Sequence, residues 1–344
     1  MHTKIKRLLA ILVIICFTQV IGEFIVRIFS PQVLNPSLYI YDQKFAFTLK
    51  KDYTGFSRNL DYSINLFTNS NGFRCDKNRK NTISKQKILV VGDSYSFGTG
   101  VEYEESYPEI LQSKLHTFGV FESNNVLNTG IPAWGTSQEL LMTKYLQKRI
   151  SPEIIIWQIC ENDFDNNIQY GLHTIREDSL IYNSPKPTKR DKIRSFTTMI
   201  PFYDYFAQNS HLINLYRKSL ILLIGGQLSK QIQGESINHK IDDELYAQKW
   251  LLMKKITKGF IEIGERQNIE LIPIFIPSGG QEIEKYGNNP LVDSLLFYLD
   301  QNHIKYVDFT YLGFNKDLRF SSDGHWKPKA HALAADSLCK FIIN

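Results

Sequence analysis

Short, wholly apolar segments alternate with segments of helical periodicity after residue 86, and this pattern constrains the fold more than any other feature. It predicts buried strands at 87–91, 126–127, 154–159, 269–275 and 306–309. It predicts helices at 107–115, 136–148, 245–266, 292–300 and 329–341. Such alternation predicts a parallel sheet covered by helices on both faces, with ligands bound beyond the carboxyl ends of the strands.

Composition excludes several classes of protein. The 344 residues are 43% hydrophobic and 22% charged, which excludes disorder of the whole chain. The net charge of +5 is mild and spread along the chain, so no nucleic-acid partner is expected. Four cysteines without paired spacing do not make a disulfide scaffold. We find no local zinc or redox motif, no P-loop and no dinucleotide fingerprint, and we expect no metal and no cofactor.

The amino terminus has the layout of a secretory signal or a signal anchor. Lys4, Lys6 and Arg7 precede the apolar stretch 8–16 (LLAILVIIC). The span reaches bilayer length only if it extends to Phe29, and it then includes Glu23 and Arg27, which are spaced to pair on one helix face. We expect residues 1–30 to be a transmembrane anchor with the rest of the chain outside the cytoplasm, in the periplasm or at the cell surface. The alternative is a buried helix of a soluble protein.

The remaining chain divides into three parts by pattern. Residues 31–86 are predicted to be an extension that packs on the catalytic domain, which occupies 87–344. Residues 165–244 do not fit the strand–helix alternation, and we interpret them as an insertion. This insertion is either a lid or binding segment over the functional edge of the sheet, or a packing subdomain without substrate contacts; both interpretations remain open.

Four polar segments each follow a predicted strand or lie near the carboxyl terminus: 92–94 (GDS), 128–135 (NTGIPAWG), 161–163 (END) and 322–326 (SDGHW). A serine hydroxyl becomes a good nucleophile when a base removes its proton, which predicts Ser94 as nucleophile and His325 as base. Asp323 is placed to orient the imidazole. The side-chain amide of Asn162 and backbone N–H groups near Ser94 and Ala133 are candidate donors to an oxyanion.

At these residues the sequence resembles the SGNH/GDSL hydrolases, especially the bacterial, membrane-anchored, extracytoplasmic members. The resemblance is carried by GDSYSFGTGV (92–101), by TNSNGFR (68–74) and by DGHW (323–326), and it spans about 65–344. It implies a flavodoxin-like three-layer α/β/α sandwich and a serine esterase mechanism. It also implies that Ser94 is the nucleophile, that Asp323 and His325 are the base pair, and that Ser94, Ala133 and Asn162 form the oxyanion hole.

The sequence departs from the family pattern at three places. Ala133 stands where members usually have Gly; its N–H serves if its φ is negative, and Gly135 is a nearby substitute. Cys160 replaces the Gly of the third segment and narrows the space beside the oxyanion hole. The last segment is D-x-H, whereas many members have D-x-x-H, and position 322 is a serine; we retain Asp323 because the variant occurs in extracytoplasmic branches.

Six further residues near these segments are candidate substrate contacts: Asp93, Tyr95, Trp134, Gly135, Asp163 and Trp326. For the two tryptophans, stacking on a sugar or acyl group and simple packing explain the sequence equally well. Cys160 is expected to be a buried packing residue rather than a reactive thiol. His331 is expected to be a helix-surface or packing histidine rather than a metal ligand.

These observations favour an extracytoplasmic serine esterase that removes O-acyl groups, most plausibly acetyl, from a cell-envelope carbohydrate or lipid. An alternative is an O-acyltransferase that uses the same serine and passes acyl groups to a surface polysaccharide, with a membrane-bound O-acyltransferase as partner. A third is a non-catalytic carbohydrate-binding or assembly protein on this fold.

Overall fold

The computed structural model describes residues 2–34, 38–78, 87–121, 125–197, 199–232, 239–277, 289–313 and 315–344. Its strands are β1 Tyr39–Asp42, β2 Ala46–Leu49, β3 Thr54–Arg58, β4 Ser63–Thr68, β5 Arg74–Cys75, β6 Ile88–Val91, β7 Val126–Asn128, β8 Ile154–Cys160, β9 His173–Arg176, β10 Ser179–Tyr182, β11 Glu270–Ile276 and β12 Val307–Asp308. Its α-helices are α1 His2–Phe29, α2 Ser94–Phe97, α3 Tyr107–Thr117, α4 Thr136–Ile150, α5 Asp163–Tyr170, α6 Lys189–Thr197, α7 Tyr203–Asn209, α8 His211–Ile232, α9 His239–Gln267, α10 Pro290–Gln301, α11 Thr310–Gly313 and α12 Pro328–Ile343.

The central sheet has the strand order β12-β11-β8-β6-β7, and every neighbouring pair in it is parallel. Numbered as the chain enters the sheet, the order is 2-1-3-4-5, which is the flavodoxin-like arrangement. The order reverses between β6 and β8, where Val91 pairs with Trp157. Ligands of such sheets bind beyond the strand ends at this reversal. The predicted parallel sheet is confirmed, and each predicted strand and helix after residue 86 is present.

Both faces of the sheet are buried, which explains the wholly apolar strands. Successive residues of β6 point to opposite faces: Leu89 and Val91 pack in one core cluster, and Ile88 and Val90 pack in the other. Helices α4, α9 and α10 supply apolar side chains to the first cluster, and α3 and α12 supply them to the second. The result is the predicted three-layer α/β/α arrangement.

The strands β1 to β5 form two antiparallel units outside the central sheet. Their apolar residues belong to the same core cluster as α4 and α9. Phe45 stacks on Trp134 with 5.3 Å between ring centroids, and the Trp134 indole N–H donates to the carbonyl of Phe47 at 3.0 Å. These strands therefore pack on the sheet domain, while the division of the chain at residues 31, 86 and 87 stays a prediction.

Helix α1 is long and apolar enough to cross a membrane, by length and composition, and most of it is exposed. The anticipated pairing within this helix is present, because the Arg27 guanidinium lies 2.9 Å from the Glu23 carboxylate. This solvent-exposed apolar helix does not fit the alternative of a buried helix, since the core of a soluble protein would cover its apolar side chains.

The described part of the insertion packs against the amino-terminal half of the chain. Helix α6 contacts β1, α7 contacts β3, and α8 lies along α1. Lys50 of the extension forms an ion pair with Asp204 of α7 at 2.7 Å. These contacts establish packing against the extension and α1, while the lid and the packing-subdomain interpretations both stay predictions.

Candidate active site

Ser94 begins the short helix α2 directly after β6, on a turn that requires Gly92. A side chain at position 92 would place its Cβ 2.3 Å from Ser96 Oγ and 2.4 Å from Gln158 Oε1, so only glycine fits. The Asp93 carboxylate caps the helix by accepting the N–H of Tyr95 at 3.0 Å. Ser94 itself is only half-buried between two buried neighbours, so the turn presents its side chain at the carboxyl end of the sheet.

The buried side chain of Gln158 holds the turn by hydrogen bonds, a role that the sequence did not predict. Its Oε1 accepts the N–H of Asp93 at 2.9 Å and the hydroxyl of Ser96 at 3.0 Å. Gln158 is fully buried in the middle of β8. A polar residue inside the run IIIWQI is the one local signal of such a role, because a buried amide requires hydrogen-bond partners.

The segment after β7 packs directly against α2. Asn128 donates from its side chain to the carbonyl of Ser96 at 2.6 Å, and the N–H of Ile131 donates to the carbonyl of Gly92 at 3.1 Å. A Cβ at Gly130 would lie 2.6 Å from the N of Phe97. The first and second polar segments are therefore in contact, as the sequence predicts for neighbouring strand ends.

The backbone of Ala133 does not meet the condition that we set for it. Its φ is +67°, in the left-handed region that glycine occupies without strain, whereas the expectation required a negative φ. The suggested substitute, Gly135, donates its N–H to the side chain of Gln138 at 3.2 Å, at the start of α4. That hydrogen bond occupies the N–H of Gly135, so Gly135 is not a substitute donor in this conformation.

Asn162 follows β8 and precedes α5, but its side chain forms no capping hydrogen bond to that helix. It forms a hydrogen bond with the carboxyl group of Asp93 instead. The Asn162 side chain therefore does not cap α5, and its amide lies beside the turn that carries Ser94.

The last polar segment forms an acid–base pair on one loop. His325 Nδ1 lies 3.3 Å from Asp323 Oδ1, and the backbone N–H of His325 donates to the same oxygen at 3.1 Å. About a quarter of each side chain is exposed. Burial raises the pKa of Asp323, but the hydrogen bonds and charge of His325 outweigh burial and hold the pKa below its ordinary value. Asp323 is thus favoured in its ionised form.

The structure brings the first, third and fourth segments together around Ser94. The ring of Tyr95 lies 5.4 Å from the imidazole of His325 between centroids. Asp93 lies on the other side of Ser94. Burial raises the pKa of the Asp93 carboxyl group, and the nearby charge of His325 lowers that pKa by a smaller amount. Arg319, buried and missed by sequence reasoning, donates to the Tyr95 hydroxyl at 2.7 Å and to the Gly324 carbonyl at 2.8 Å. It therefore fastens the acid–base loop to the nucleophile turn.

The turn between β3 and β4 also holds the acid–base loop, which sequence reasoning did not foresee. Tyr62 donates its hydroxyl to Asp323 Oδ2 at 3.1 Å, and Asn59 donates to the same oxygen at 3.2 Å. The Asp61 carboxylate accepts the backbone N–H of Ser322 at 2.6 Å. Both oxygens of Asp323 are consequently engaged, one by His325 and one by the extension.

We expect Tyr62→Phe to lower kcat/KM for an ester substrate about fivefold to tenfold, because one hydrogen bond to the Asp323 carboxylate is lost. That hydrogen bond lowers the pKa of Asp323, so its loss should also move the acid limb of the pH–rate profile to higher pH. Tyr311→Phe, at an exposed hydroxyl that contacts Ser337, is the matched control. An unchanged acid limb in Tyr62→Phe would contradict a positioning role.

All six candidate substrate contacts are buried: Asp93, Tyr95, Trp134, Gly135, Asp163 and Trp326. Their side chains serve the protein interior instead. Asp93 caps α2, Asp163 accepts the N–H of Cys160 at 2.7 Å, and Trp326 packs edge-on to Tyr95 and Phe309. For the two tryptophans, the packing interpretation is confirmed. Among the candidate site residues, Ser94, Ala133, Asn162 and the acid–base loop retain exposed surface.

Two further residues occupy interior positions, as expected. Cys160 is buried at the end of β8. His331 is buried on α12, where its Nδ1 accepts the N–H of Tyr107 at 3.2 Å, and burial lowers its pKa to about 3. Among the residues that the structure describes, no group of three or more His, Cys, Asp or Glu is arranged to hold a metal ion.

Three carboxyl groups, those of Asp93, Glu139 and Asp163, are buried near one another below the turn. Burial raises the pKa of each, and the mutual repulsion of the charges adds to the rise for Glu139 and Asp163. Glu139 Oε2 accepts the indole N–H of Trp157 at 2.9 Å. Burial and the neighbouring carboxyl groups therefore shift Glu139 toward its neutral form in the folded protein.

We expect Glu139→Gln to remove part of the loss of stability that accompanies a rise in pH. Because the folded state holds the Glu139 proton more tightly than the unfolded state, its contribution to stability is present at low pH and falls as pH rises through the raised pKa. Gln keeps an acceptor for Trp157 and cannot ionise. Thermal midpoints from about pH 5 to about pH 8 should fall less in this variant than in the wild type. Glu265→Gln on the exposed face of α9 is the control, and equal slopes in all three proteins would contradict the expectation.

No family model and no curated protein sequence matches the chain. Solved structures do. The crystal structure of TesA is 12% identical, with a TM-score of 0.43, and the match covers 75% of this chain and 98% of that chain. The acetyl xylan esterase AlAXEase is 14% identical, with a TM-score of 0.42 and coverage of 74% and 99%. The psychrotrophic esterase EstA from Pseudoalteromonas sp. is 14% identical, with a TM-score of 0.39 and coverage of 76% and 100%.

The strand order and the contacts around Ser94 lead to one structural conclusion. The polar ends of β6 and β8 meet at the reversal of strand order, and the loop of Asp323 and His325 lies beside them. The chain has a flavodoxin-like α/β/α fold with a serine, an amide and an aspartate–histidine pair gathered at the position where such sheets bind ligands.

Proposed function

We propose that the protein is a serine esterase of the SGNH/GDSL type. The observation that carries the proposal is the position of Ser94 between Asp93 and Tyr95. Both neighbours interact with His325, and Asp93 also holds Asn162. A hydroxyl, a histidine backed by a carboxylate, and an amide donor are the groups that acyl transfer requires.

In the proposed acylation step, Ser94 Oγ attacks the carbonyl carbon of the ester while His325 removes the hydroxyl proton. Because Nδ1 of His325 faces Asp323, Nε2 is the nitrogen that takes the proton. The carbonyl oxygen becomes an oxyanion, stabilised by the Asn162 amide and the Ser94 N–H; Ala133 is left out because its φ is +67°. The oxyanion collapses, the ester C–O bond breaks, and His325 returns the proton to the departing alcohol.

In the proposed deacylation step, His325 removes a proton from water as the water oxygen attacks the acyl-Ser94 carbonyl. The C–O bond to Ser94 breaks, and the proton returns to Ser94 Oγ. Asp323 stays ionised throughout and stabilises the imidazolium that forms in each step, consistent with its lowered pKa. A sugar hydroxyl in place of water converts the same sequence into acyl transfer.

We infer that α1 anchors the protein in a membrane with its catalytic domain outside the cytoplasm. The basic residues Lys4, Lys6 and Arg7 at the amino end of α1 support this orientation. The chain from Phe29 to Leu34 spans at most about 18 Å. Leu34 bridges to Arg58, and the next residue, Asn59, donates to Asp323. The site is thereby tied close to the outer end of the anchor, which supports an O-acylated carbohydrate or lipid of the cell envelope as substrate. We propose acetyl as the acyl group.

The test is to identify the residue that becomes acylated. The full chain in detergent is mixed with p-nitrophenyl acetate and quenched early, and its peptides are analysed by mass spectrometry. We expect one acetyl group on the peptide that contains Ser94, and release of free acetate afterwards. Acetyl on a different residue, or turnover without any acetyl-enzyme, would overturn the proposal. Acetyl passed to an added carbohydrate in preference to water would identify the protein as the transferase instead.

A further inference from the structure

Helix α8 of the insertion pairs with α1 in an antiparallel orientation. Leu212 packs on Gly22, whose added Cβ would lie 3.1 Å from the leucine side chain. One turn further along α8, Tyr216 donates its hydroxyl to Gln19, which lies three residues earlier on α1. As α8 proceeds, it therefore advances toward the amino end of α1. A glycine at the crossing allows the two backbones to approach closely, as at helix interfaces in membranes.

The polar residues of α1 fasten the beginning of α8. The Glu23 carboxylate accepts the N–H groups of His211 and Leu212, at 3.0 and 2.9 Å, and the hydroxyl of Ser210 at 2.7 Å. Arg27 donates to the carbonyl of Asn209 at 2.9 Å. Glu23 and Arg27, the charges that interrupt the apolar sequence of α1, thus hold the start of α8 at the outer end of the anchor. We call these contacts, between Glu23 and Arg27 on one side and residues 209–212 on the other, the joint.

Beyond this joint, α8 exposes large apolar side chains. Leu220, Leu222 and Leu223 are exposed by 48%, 64% and 74%. The rise from Leu212 to Leu223 is about 17 Å, which is comparable to half the thickness of a bilayer's hydrocarbon core. Two cations, Arg217 and the exposed Lys218, lie between the joint and these leucines. The Arg217 guanidinium contacts Asn214 and the Tyr203 ring, back toward the outer end. A cationic side chain turned in this direction is typical of a helix that enters a membrane.

The segment before α8 exposes aromatic and other large apolar residues near the outer end of α1. These are Phe196, Met199, Phe202, Tyr205 and Phe206. Helix α7, which carries the last two, ends at Asn209, the residue that Arg27 contacts. Aromatic side chains are enriched at the level of lipid headgroups. The aromatic residues that precede α8 therefore lie toward the outer end of α1, and the apolar residues of α8 lie beside the apolar part of α1.

We propose that α8 enters the phospholipid bilayer beside α1, with the aromatic segment 196–206 at the headgroups. The occupant of its exposed apolar face is the acyl-chain region of the lipid. The proposal rests on the anchor proposed above. With two elements in the bilayer instead of one, rotation of the catalytic domain about the anchor is restricted, so the site keeps one face toward the membrane.

The test measures the depth of labels in the full chain, reconstituted in vesicles of phosphatidylcholine and phosphatidylglycerol. A fluorophore is placed on L223C, on L222C as an independent position, and on L60C as an exposed control in the β3–β4 turn, all in a C16S background. We expect labels at 222 and 223 to be quenched strongly by doxyl-labelled acyl chains and weakly by aqueous iodide. The label at 60 should show the reverse.

A label on the native Cys16 reports the anchor separately. Quenching of Cys16 by doxyl lipid together with iodide access at 222 and 223 would overturn the docking of α8 and leave the anchor intact. Iodide access at all three positions would overturn the anchor as well. Shielding of 222 and 223 from both quenchers would mean that protein, such as a second copy of this chain, covers α8, and this result also overturns the proposal.

Discussion

Ser94→Ala should lower the turnover of p-nitrophenyl acetate by about 10³-fold or more, because no other hydroxyl replaces the nucleophile and only binding and oxyanion stabilisation remain. The structure gives this substitution a small expected effect on stability. Ser94 is half-buried, and the hydrogen bonds of the turn involve Asp93, Ser96 and Gln158 rather than its hydroxyl. The variant should therefore have a thermal midpoint close to that of the wild type.

Ser113→Ala is the matched control for this experiment. Ser113 lies on an exposed face of α3, and removing the same hydroxyl there should leave the rate unchanged. Ser96→Ala is a poor control, since the buried Ser96 hydroxyl contacts Tyr107 at 2.6 Å and Gln158. Equal rates for Ser94→Ala and the wild type, with matching circular dichroism spectra, would remove Ser94 from the chemistry.

His325→Ala should produce a loss of similar size, about 10³-fold or more, since the serine proton then has no acceptor. Added imidazole should restore part of the activity, because about a quarter of the native side chain is exposed and the removed ring leaves a space open to solvent. Rescue should increase with the fraction of unprotonated imidazole, and hence with pH, since the neutral ring is the base.

His116→Ala, at an exposed position near the end of α3, is the control for loss of a histidine as such. Its activity should equal that of the wild type, and added imidazole should leave that activity unchanged. Asp323→Asn should retain more activity than His325→Ala, because the carboxylate acts through the histidine. An imidazole response in His116→Ala equal to that of His325→Ala would show that the reagent hydrolyses the ester by itself.

Local sequence patterns predicted most elements of the sheet domain, because the burial of both strand faces leaves a recognisable apolar run in each strand. The same patterns placed Ser94 and Asn162 at strand ends, and the charges Glu23 and Arg27 at one helix face. They did not predict that Glu23 would hold the start of α8. That contact joins residues nearly 190 positions apart in the chain, and no local periodicity records it.

The distinction between substrate contacts and buried supports was also beyond the sequence. Asp93, Asp163 and Trp326 are adjacent to Ser94, Asn162 and His325 in the chain, yet the structure turns them inward. Neighbouring residues in a tight turn point in different directions, and only the packing around the turn decides which one faces solvent.

By itself the sequence determined the class of fold, the apolar amino-terminal helix and the set of residues from which a serine esterase site could be built, because burial and hydrogen-bonding chemistry act on each short segment separately. The tertiary structure alone decided the strand order 2-1-3-4-5, which brings the ends of β6 and β8 side by side. It alone decided that Asn59 and Tyr62 hold Asp323 across more than 260 residues. Such contacts depend on the path of the whole chain, and each involves residue types that are ordinary in a turn.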